Sequence, residues 1–222
     1  MDTRTKMWTR AALGALMVVA GQAAQAGQAG QAGQAGQAGQ AGSAARVDQG
    51  ANDIKGARDH PLLTRFTGAR INGYSQQDYD EARMPNQVIK DEDKARFLAL
   101  EGKVTRIGYF IDGIKSALEV YRNYEAALKE GGFETLFTCK NDKQCGEGFQ
   151  NYVLNSGKVR IHGEGDAVIG GNYYALLAKK AVPDGAVYVF LDIMHDDVNQ
   201  ITPVFQQVVE TRSMPLGQVK SR

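Results

Sequence analysis

The sequence predicts an α+β domain in which a mostly antiparallel β-sheet packs against one long amphipathic helix. Two stretches carry this prediction. Residues 103–139 have the pattern of a β-α-β unit, because apolar residues recur first at every second position, then at helical spacing, and then at every second position again. Ala186 to Met194 is a nearly unbroken apolar run after a strong turn, which is typical of a central strand buried on both faces.

The β-α-β unit has clear boundaries in the sequence. Its first strand, Lys103 to Ile111, is rich in β-branched and aromatic residues, and its second strand is Phe133 to Cys139. Ser116 and Glu119 form a capping-box pattern at the start of the helix. Gly131-Gly132 supplies the left-handed residue that ends a helix. The apolar helix positions expected to face the core are Ala117, Val120, Tyr121, Tyr124, Ala127 and Leu128.

Before this unit, the pattern predicts one strand and one irregular segment. We expect a first strand at Ala69 to Tyr74, ended by the polar run Ser75 to Glu81. Val88 to Arg96 is charged and indicates a loop or a sheet edge. Gly102, directly before the first strand of the unit, is typical of a β-bulge.

After this unit, three further strands are expected. Lys158 to His162 alternates as a short strand. The turn sequence Val182-Pro183-Asp184-Gly185 predicts a hairpin in which Tyr173–Ala181 pairs with Ala186–Met194. Thr202 to Arg212 is the expected final strand.

Residues 1–26 have the features of a cleavable signal peptide. Three basic residues precede the apolar run Ala11 to Ala20, which is too short to span a bilayer. Ala24-Gln25-Ala26 fits the small-x-small cleavage pattern. We therefore expect a periplasmic protein, with or without association with the outer membrane, and no transmembrane segment in the mature chain.

The rest of the chain divides into a linker, one domain and a tail. Residues 27–46 contain a Gly-Gln-Ala repeat, which has no large side chains to bury and is expected to be a disordered linker. A single α+β domain is expected at 53–213, followed by a flexible tail at 214–222. Removing residues 1–26 would change the formal net charge from +1 to −1. Such a near-neutral chain argues against nucleic acid as a partner.

Cys139 and Cys145 are the two cysteines of the chain. In an exported protein, a close pair is best explained as a disulfide. A redox pair would normally have two intervening residues at a helix start, and a zinc site needs more ligands than two. The sequence therefore favours a structural disulfide over both alternatives.

Several motifs together carry a resemblance to a known family. They are Asp59-His60-Pro61-Leu62-Leu63 with Arg65-Phe66, Glu101 to Ile107, Leu118 to Glu125, Gly132-Phe133-Glu134, Cys145-Gly146, and Gly171-Asn172-Tyr173-Tyr174. From about Asp53 to Arg212, the chain resembles an uncharacterised periplasmic domain of Gram-negative bacteria. This domain of unknown function is often found upstream of an OmpA-like domain.

The resemblance implies an exported α+β module and supplies no catalytic residues. The chain ends at Arg222, where an OmpA-like domain would begin. We therefore do not expect this chain to inherit the peptidoglycan binding of an OmpA-like domain.

The densest polar cluster is Asp192, His195, Asp196 and Asp197, at the end of the predicted central strand. Carboxylates beside an imidazole can bind a divalent metal ion or transfer protons. The alternative is a solvated turn whose acidic residues end the strand. Because the sequence has no second ligand cluster of suitable spacing, we expect neither a metal ion nor another cofactor, and the catalytic residues, if any, are unknown.

Three functional hypotheses follow. The leading one is an exported, non-catalytic envelope module that binds a periplasmic or outer-membrane protein or a glycan. The second is a metal-dependent periplasmic hydrolase that uses Asp192, His195 and Asp196. The third is a folded remnant of a two-domain ancestor that has no ligand of its own.

Overall fold

Six antiparallel strands form the sheet of this protein in a computed structural model, which describes residues 52–113, 115–161, 168–214 and 216–221. The strands are β1 Ala69–Pro85, β2 Phe97–Asp112, β3 Glu134–Lys140, β4 Tyr173–Val182, β5 Gly185–Met194 and β6 Ile201–Thr211. Their order across the sheet is β1-β2-β6-β5-β4-β3, and every neighbouring pair is antiparallel. The mostly antiparallel sheet that the sequence predicts is therefore confirmed.

The later strands match their predictions closely. Strands β4 and β5 form the expected hairpin, with Tyr173 opposite Met194 and Val182 opposite Gly185. Strand β5 lies between β4 and β6, and its side chains are buried on both faces. Strand β6 lies within one residue of the predicted range at each end.

Strand β1 is much longer than the sequence predicts. It continues through the polar run Ser75 to Glu81 and pairs with β2 from Ala69 opposite Ile111 to Pro85 opposite Phe97. The polar run does not end the strand because β1 is an edge strand, and the side chains of its middle part are half-buried or exposed. Alternation of polar and apolar residues was therefore a poor guide to the length of this strand.

The bulges lie on β1 and not at Gly102. The register of β1 against β2 shifts between Ile71 and Gly73 and again between Gln77 and Asp80, so at each place β1 carries an extra residue, and the second bulge lies next to the Asp80–Gly102 pair. Gly102 has a different role, since a Cβ atom at this position would lie 2.2 Å from the carbonyl oxygen of Glu210. Glycine therefore allows β6 to approach β2 at this point.

Helix α1 spans Ala117–Glu130 and connects β2 to β3 at the opposite edge of the sheet. Its start is capped by Ser116 Oγ, which accepts a hydrogen bond from the Glu119 amide at 3.1 Å. The Glu119 carboxylate instead binds Lys115 Nζ at 2.8 Å, so only half of the predicted capping box is present. The helix ends at the expected glycines, and Gly132 has the left-handed φ of 78°.

The sheet separates two apolar clusters. On the first face, α1 packs through Ala117, Val120, Tyr121, Tyr124 and Leu128 against side chains of β2, β4, β5 and β6. Ala127, which the helical spacing placed in the core, is exposed. On the second face, Phe149, Tyr152 and Val153 contribute to a cluster with side chains of β2, β4, β5 and β6.

Two short helices cover the second face, so the described residues contain more than the one long helix that the sequence predicts. They are α2 Asn141–Cys145 and α3 Phe149–Leu154. The sequence predicts neither helix, because each is too short to show a periodic apolar pattern. The predicted strand at Lys158 to His162 is wrong for residues 158–161, which contain bends and no strand, and His162 lies outside the described residues.

The two cysteines form the predicted disulfide. Cys139 near the end of β3 is bonded to Cys145 at the end of α2, and their Cα atoms are 5.1 Å apart. The bond ties α2 to the edge strand of the sheet. In the part of the chain that the structure describes, no helix is long and apolar enough to cross a membrane. The predicted signal peptide at 1–26 and linker at 27–46 lie outside that part.

The close approach at Gly102 leads to a stability prediction. Gly102→Ala should destabilise the domain by at least about 2 kcal/mol, because the new methyl group would meet the backbone of Glu210 and force β2 and β6 apart. Urea denaturation followed by circular dichroism measures this loss. Gly171→Ala is the matched control, since a Cβ atom at Gly171 has no neighbour within 4 Å. Equal stability of the two variants would contradict the prediction.

Candidate functional site

The four residues of the predicted metal cluster do not form one site: His195 pairs with Asp197, whereas Asp196 binds its own turn and Asp192 is buried in β5. Asp192 lies within β5, on the same face of the sheet as Phe190 and Met194, and is 3% exposed. His195 follows the strand, with Nδ1 at 3.0 Å from Thr202 Oγ1 and Nε2 at 3.2 Å from Asp197 Oδ1.

Asp196 organises the turn before β6. Its Oδ1 accepts hydrogen bonds from the amides of Val198 and Asn199, and its Oδ2 accepts one from Asn199 Nδ2. This is the arrangement of the solvated turn that the sequence analysis held as the alternative. Among the residues that the structure describes, no group of three or more His, Cys, Asp or Glu side chains is placed to hold a metal ion.

Asp192 is nevertheless chemically unusual. Burial raises the pKa of its carboxyl group to about 7, because the charged form has lost its hydration. Its Oδ1 has no hydrogen-bond partner among the described residues. The side chain borders a cavity of about 20 Å³, whose other lining residues include Asn72, Leu154, Arg160, Met194 and Phe205.

A carboxyl group that titrates near neutral pH is suited to general acid–base work. The cavity beside Asp192 has room for about one water molecule and not for a substrate. No histidine and no second carboxylate is among its described lining residues. The geometry therefore assigns Asp192 to the interior of the fold and gives it no reacting partner there.

A larger concave surface lies beside α1. The N-terminal segment, residues 53–68, crosses the first face of the sheet and leaves a groove of about 370 Å³ between itself and α1. We call this the α1 groove. Its lining residues are Pro61, Leu62, Leu63, Thr64, Arg65, Phe66, Thr67, Asn123, Tyr124 and Ala127. Its volume is within the range of small-molecule and peptide sites.

Arg65 anchors the N-terminal segment to the sheet. Its Nε donates to both carboxylate oxygens of Asp59, at 2.9 and 3.0 Å, and its Nη1 donates to Asp53 Oδ1 at 2.9 Å. Asp53 Oδ1 also accepts the amide of Ile71 in β1 at 2.7 Å. The side chains of Arg65, Asp53 and Asp59 are all largely buried, so the two carboxylates offset the charge of the guanidinium group.

Two tyrosines continue this network beneath the groove. Tyr109 of β2 donates its hydroxyl proton to Asp59 Oδ1 at 3.1 Å, and burial raises its pKa far above the usual range. The hydroxyl of Tyr124 in α1 accepts a hydrogen bond from the amide of Phe66 at 3.2 Å. The wall formed by the N-terminal segment is thus bonded to β1, β2 and α1.

The surface of the groove is partly apolar, and the one charged residue among its described lining residues, Arg65, is paired with Asp53 and Asp59. Thr64, Thr67 and Asn123 provide polar groups, while Leu62, with 46% exposure, and Ala127 are apolar residues open to solvent. Phe66 is half-buried, and Lys115 Nζ lies 6.0 Å from the centre of its ring. An uncharged partner with an apolar side chain fits such a surface best.

The sequence does not predict this groove. The motif from Asp59 to Leu63 contributes to the family resemblance but indicates no binding role. The one available signal was the concentration of ionisable residues at Asp53, Asp59, His60 and Arg65, just before a predicted strand. Which of these would be buried and paired depends on the long-range contact with β1, β2 and α1, which no local pattern reports.

No model of a known protein family matches the chain, and a search of curated proteins gives no match. The resemblance to the periplasmic domain found upstream of OmpA-like domains thus rests on the sequence motifs alone.

The raised pKa of Asp192 leads to a pH-dependent stability. The folded protein holds the carboxyl proton up to about pH 7, whereas the unfolded chain releases it near the ordinary value of 3.8. The contribution of Asp192 to the free energy of unfolding is therefore complete below about pH 4 and is lost as the pH rises to about 7. Asp192→Asn removes the ionisation, so the variant should gain up to about 4 kcal/mol over the wild type at pH 8, since each pKa unit is worth about 1.4 kcal/mol.

Urea denaturation at a series of pH values between 4 and 8 measures this difference. Asp184→Asn, at an exposed turn residue, is the matched control and should follow the wild-type curve. If Asp192→Asn and the wild type differ by the same amount at pH 4 and pH 8, Asp192 does not titrate in this window and the assignment is wrong.

Proposed function

We propose that this protein is an exported, non-catalytic envelope module that binds a protein partner through the α1 groove. The observation that carries the proposal is the groove itself, a partly apolar surface of about 370 Å³ on a wall fixed by buried ion pairs. A preformed, rigid surface lowers the entropic cost of binding. Among the described residues, no group of three or more His, Cys, Asp or Glu side chains could hold a metal ion.

Export is supported by two features. Residues 1–26 have the charge, apolar run and small-residue site of a signal peptide. The Cys139–Cys145 disulfide fits an oxidising compartment such as the periplasm. The motifs from Asp59 to Tyr174 resemble those of a domain found in envelope proteins.

A protein partner fits the groove better than a glycan. Sugars commonly stack on an open aromatic face, but the ring of Phe66 lies under Lys115 and Tyr124 is buried within the core. Leu62 is an exposed apolar residue at the rim, and an apolar side chain of a partner would remove it from water. A short uncharged protein segment is therefore the expected occupant.

The metal-dependent hydrolase is less well supported. His195 is paired with Asp197, Asp196 binds the turn before β6, and only the raised pKa of Asp192 supports a role in proton transfer. We therefore place the function at the groove.

Site-specific photo-crosslinking in a Gram-negative host tests the proposal. The full chain carries a photoreactive amino acid at Ala127, on the α1 side of the groove, or at Val198, which is 89% exposed and far along the chain from the groove. We expect a discrete protein adduct from position 127 and none from position 198. Leu62→Glu should abolish the adduct at 127, because a buried carboxylate in an apolar contact is costly.

The matched control is Leu136→Glu, at another partly exposed leucine, which lies on β3. This change should leave the adduct at position 127 intact. Adducts from position 127 that are released by digestion of the cell-wall glycan would replace the protein partner with a glycan. Adducts that do not depend on Leu62, or none at position 127, would rule out the groove as the binding site.

A further inference from the structure

His60 is buried in the N-terminal segment with both ring nitrogens in use. The residue is 2% exposed. Its Nδ1 accepts a hydrogen bond from the amide of Leu62 at 3.3 Å, and its Nε2 lies 3.3 Å from Glu210 Oε1 on β6. His60 thus connects the turn at Pro61 and Leu62 to the central part of the sheet.

These contacts determine the tautomer of the neutral ring. Because an amide can only donate, Nδ1 must carry no proton when it accepts from Leu62. The proton of the neutral ring is therefore on Nε2, where it is donated to Glu210. A second proton has to go onto Nδ1, and it would face the N–H group of Leu62.

Protonation therefore acts directly on one wall of the α1 groove. Two donors that face each other cannot remain bonded, so the Leu62 amide loses its acceptor. Pro61 and Leu62 are the exposed lining residues held by this bond. Leu63 is buried in the first core cluster and its amide bonds His60 O at 3.2 Å, so the change is confined to the rim.

The charged groups around His60 come from three elements. Glu210 on β6 faces Nε2, and Lys103 on β2 binds the same Glu210 oxygen at 3.0 Å. Asp59 and Arg65 of the N-terminal segment are bonded to each other. Burial lowers the pKa of His60, and Lys103 lowers it further, against the hydrogen bond and charge of Glu210, which raise it. Burial opposes ionisation of Glu210, but hydrogen bonds from Lys103 and His60 keep its pKa below the usual value.

We infer that His60 is a pH-sensitive latch on the α1 groove, and that a proton on its Nδ1 releases the rim at Pro61 and Leu62 and weakens partner binding. The second half of this inference rests on the proposed function of the groove. The direction follows from linkage. A base whose pKa is lowered in the closed form stabilises that form at neutral pH, and the stabilisation is lost as the pH falls below the ordinary value of 6.5.

Nuclear magnetic resonance of the ¹⁵N-labelled protein tests the latch without any partner. We expect the His60 ring to titrate below pH 6.5 and the amide resonance of Leu62 to shift with the same midpoint. Hydrogen exchange of the Leu62 amide, compared with that of the His60→Asn variant, measures the equilibrium between the open and closed rim. The open fraction should rise roughly tenfold for each pH unit below 6.5, down to the pH at which the His60 ring of the closed form itself takes up a proton.

Two substitutions separate the roles of the ring nitrogens. His60→Asn places an oxygen near the position of Nδ1, where it can accept from Leu62 as in an Asx-turn, so the Leu62 amide should no longer respond to pH. His60→Gln can reach toward Glu210 but removes the Nδ1 acceptor, so Leu62 should be open already at pH 7.5. His195→Asn, which removes a different histidine, should leave the Leu62 titration unchanged.

A Leu62 amide that does not shift with His60, or a His60 ring that titrates at or above pH 6.5, would overturn the latch. The effect of the His60 latch on partner binding is measured by the yield of the crosslink at Ala127 in isolated envelopes at pH 7.5 and 5.5. The wild-type adduct should decrease at pH 5.5, whereas that of His60→Asn should not. An adduct that is lost on Leu62→Glu but is independent of pH would leave the proposed function intact and reject the regulation.

Discussion

Strands β5 and β6 bury side chains on both of their faces, and the rest of the structure depends on this two-sided burial. A sheet that is apolar on both sides needs a covering layer on each, and each large apolar side chain removed from water contributes roughly 1.5–3 kcal/mol. Helix α1 and the N-terminal segment cover the first face, and residues of α3 cover the second. The β2-α1-β3 connection runs from β2 to the edge strand β3, and α1 packs mainly over β4 and β5.

A few ionisable groups lie in the interior beneath these covering layers, and their burial is made tolerable in two ways. Asp53 and Asp59 are paired with Arg65, so that buried charges are balanced and hydrogen-bonded. Asp192 has no such partner among the described residues and keeps its proton to about pH 7 instead. The Arg65 ion pairs hold the N-terminal segment in place, whereas protonated Asp192 is a neutral side chain in the core.

The parts of the fold that the sequence predicted are those with strong local signals. Helix α1 has a capping serine and a terminal glycine, and the β4–β5 hairpin has a turn at Pro183 and Asp184 between two apolar runs. Strand β1 was cut short because its polar middle looks like a loop, although its backbone is paired with β2. Helices α2 and α3 have five and six residues, too few for a periodic pattern. The α1 groove depends on contacts between the N-terminal segment and residues more than fifty positions later, such as Tyr124, so no local reading finds it.

The two walls of the groove differ in what holds them. The α1 wall is held by apolar packing of Val120, Tyr121 and Leu128, which does not change with pH. The opposite wall is held by polar contacts, of which the Arg65 contacts are ion pairs with Asp53 and Asp59, while the His60 contact depends on a neutral ring. Arg65 therefore sets the position of the N-terminal segment, and His60 sets the conformation of its rim. A fall in pH below 6.5 can then alter the rim while the segment stays attached, because the His60 contact depends on a neutral ring and the ion pairs do not.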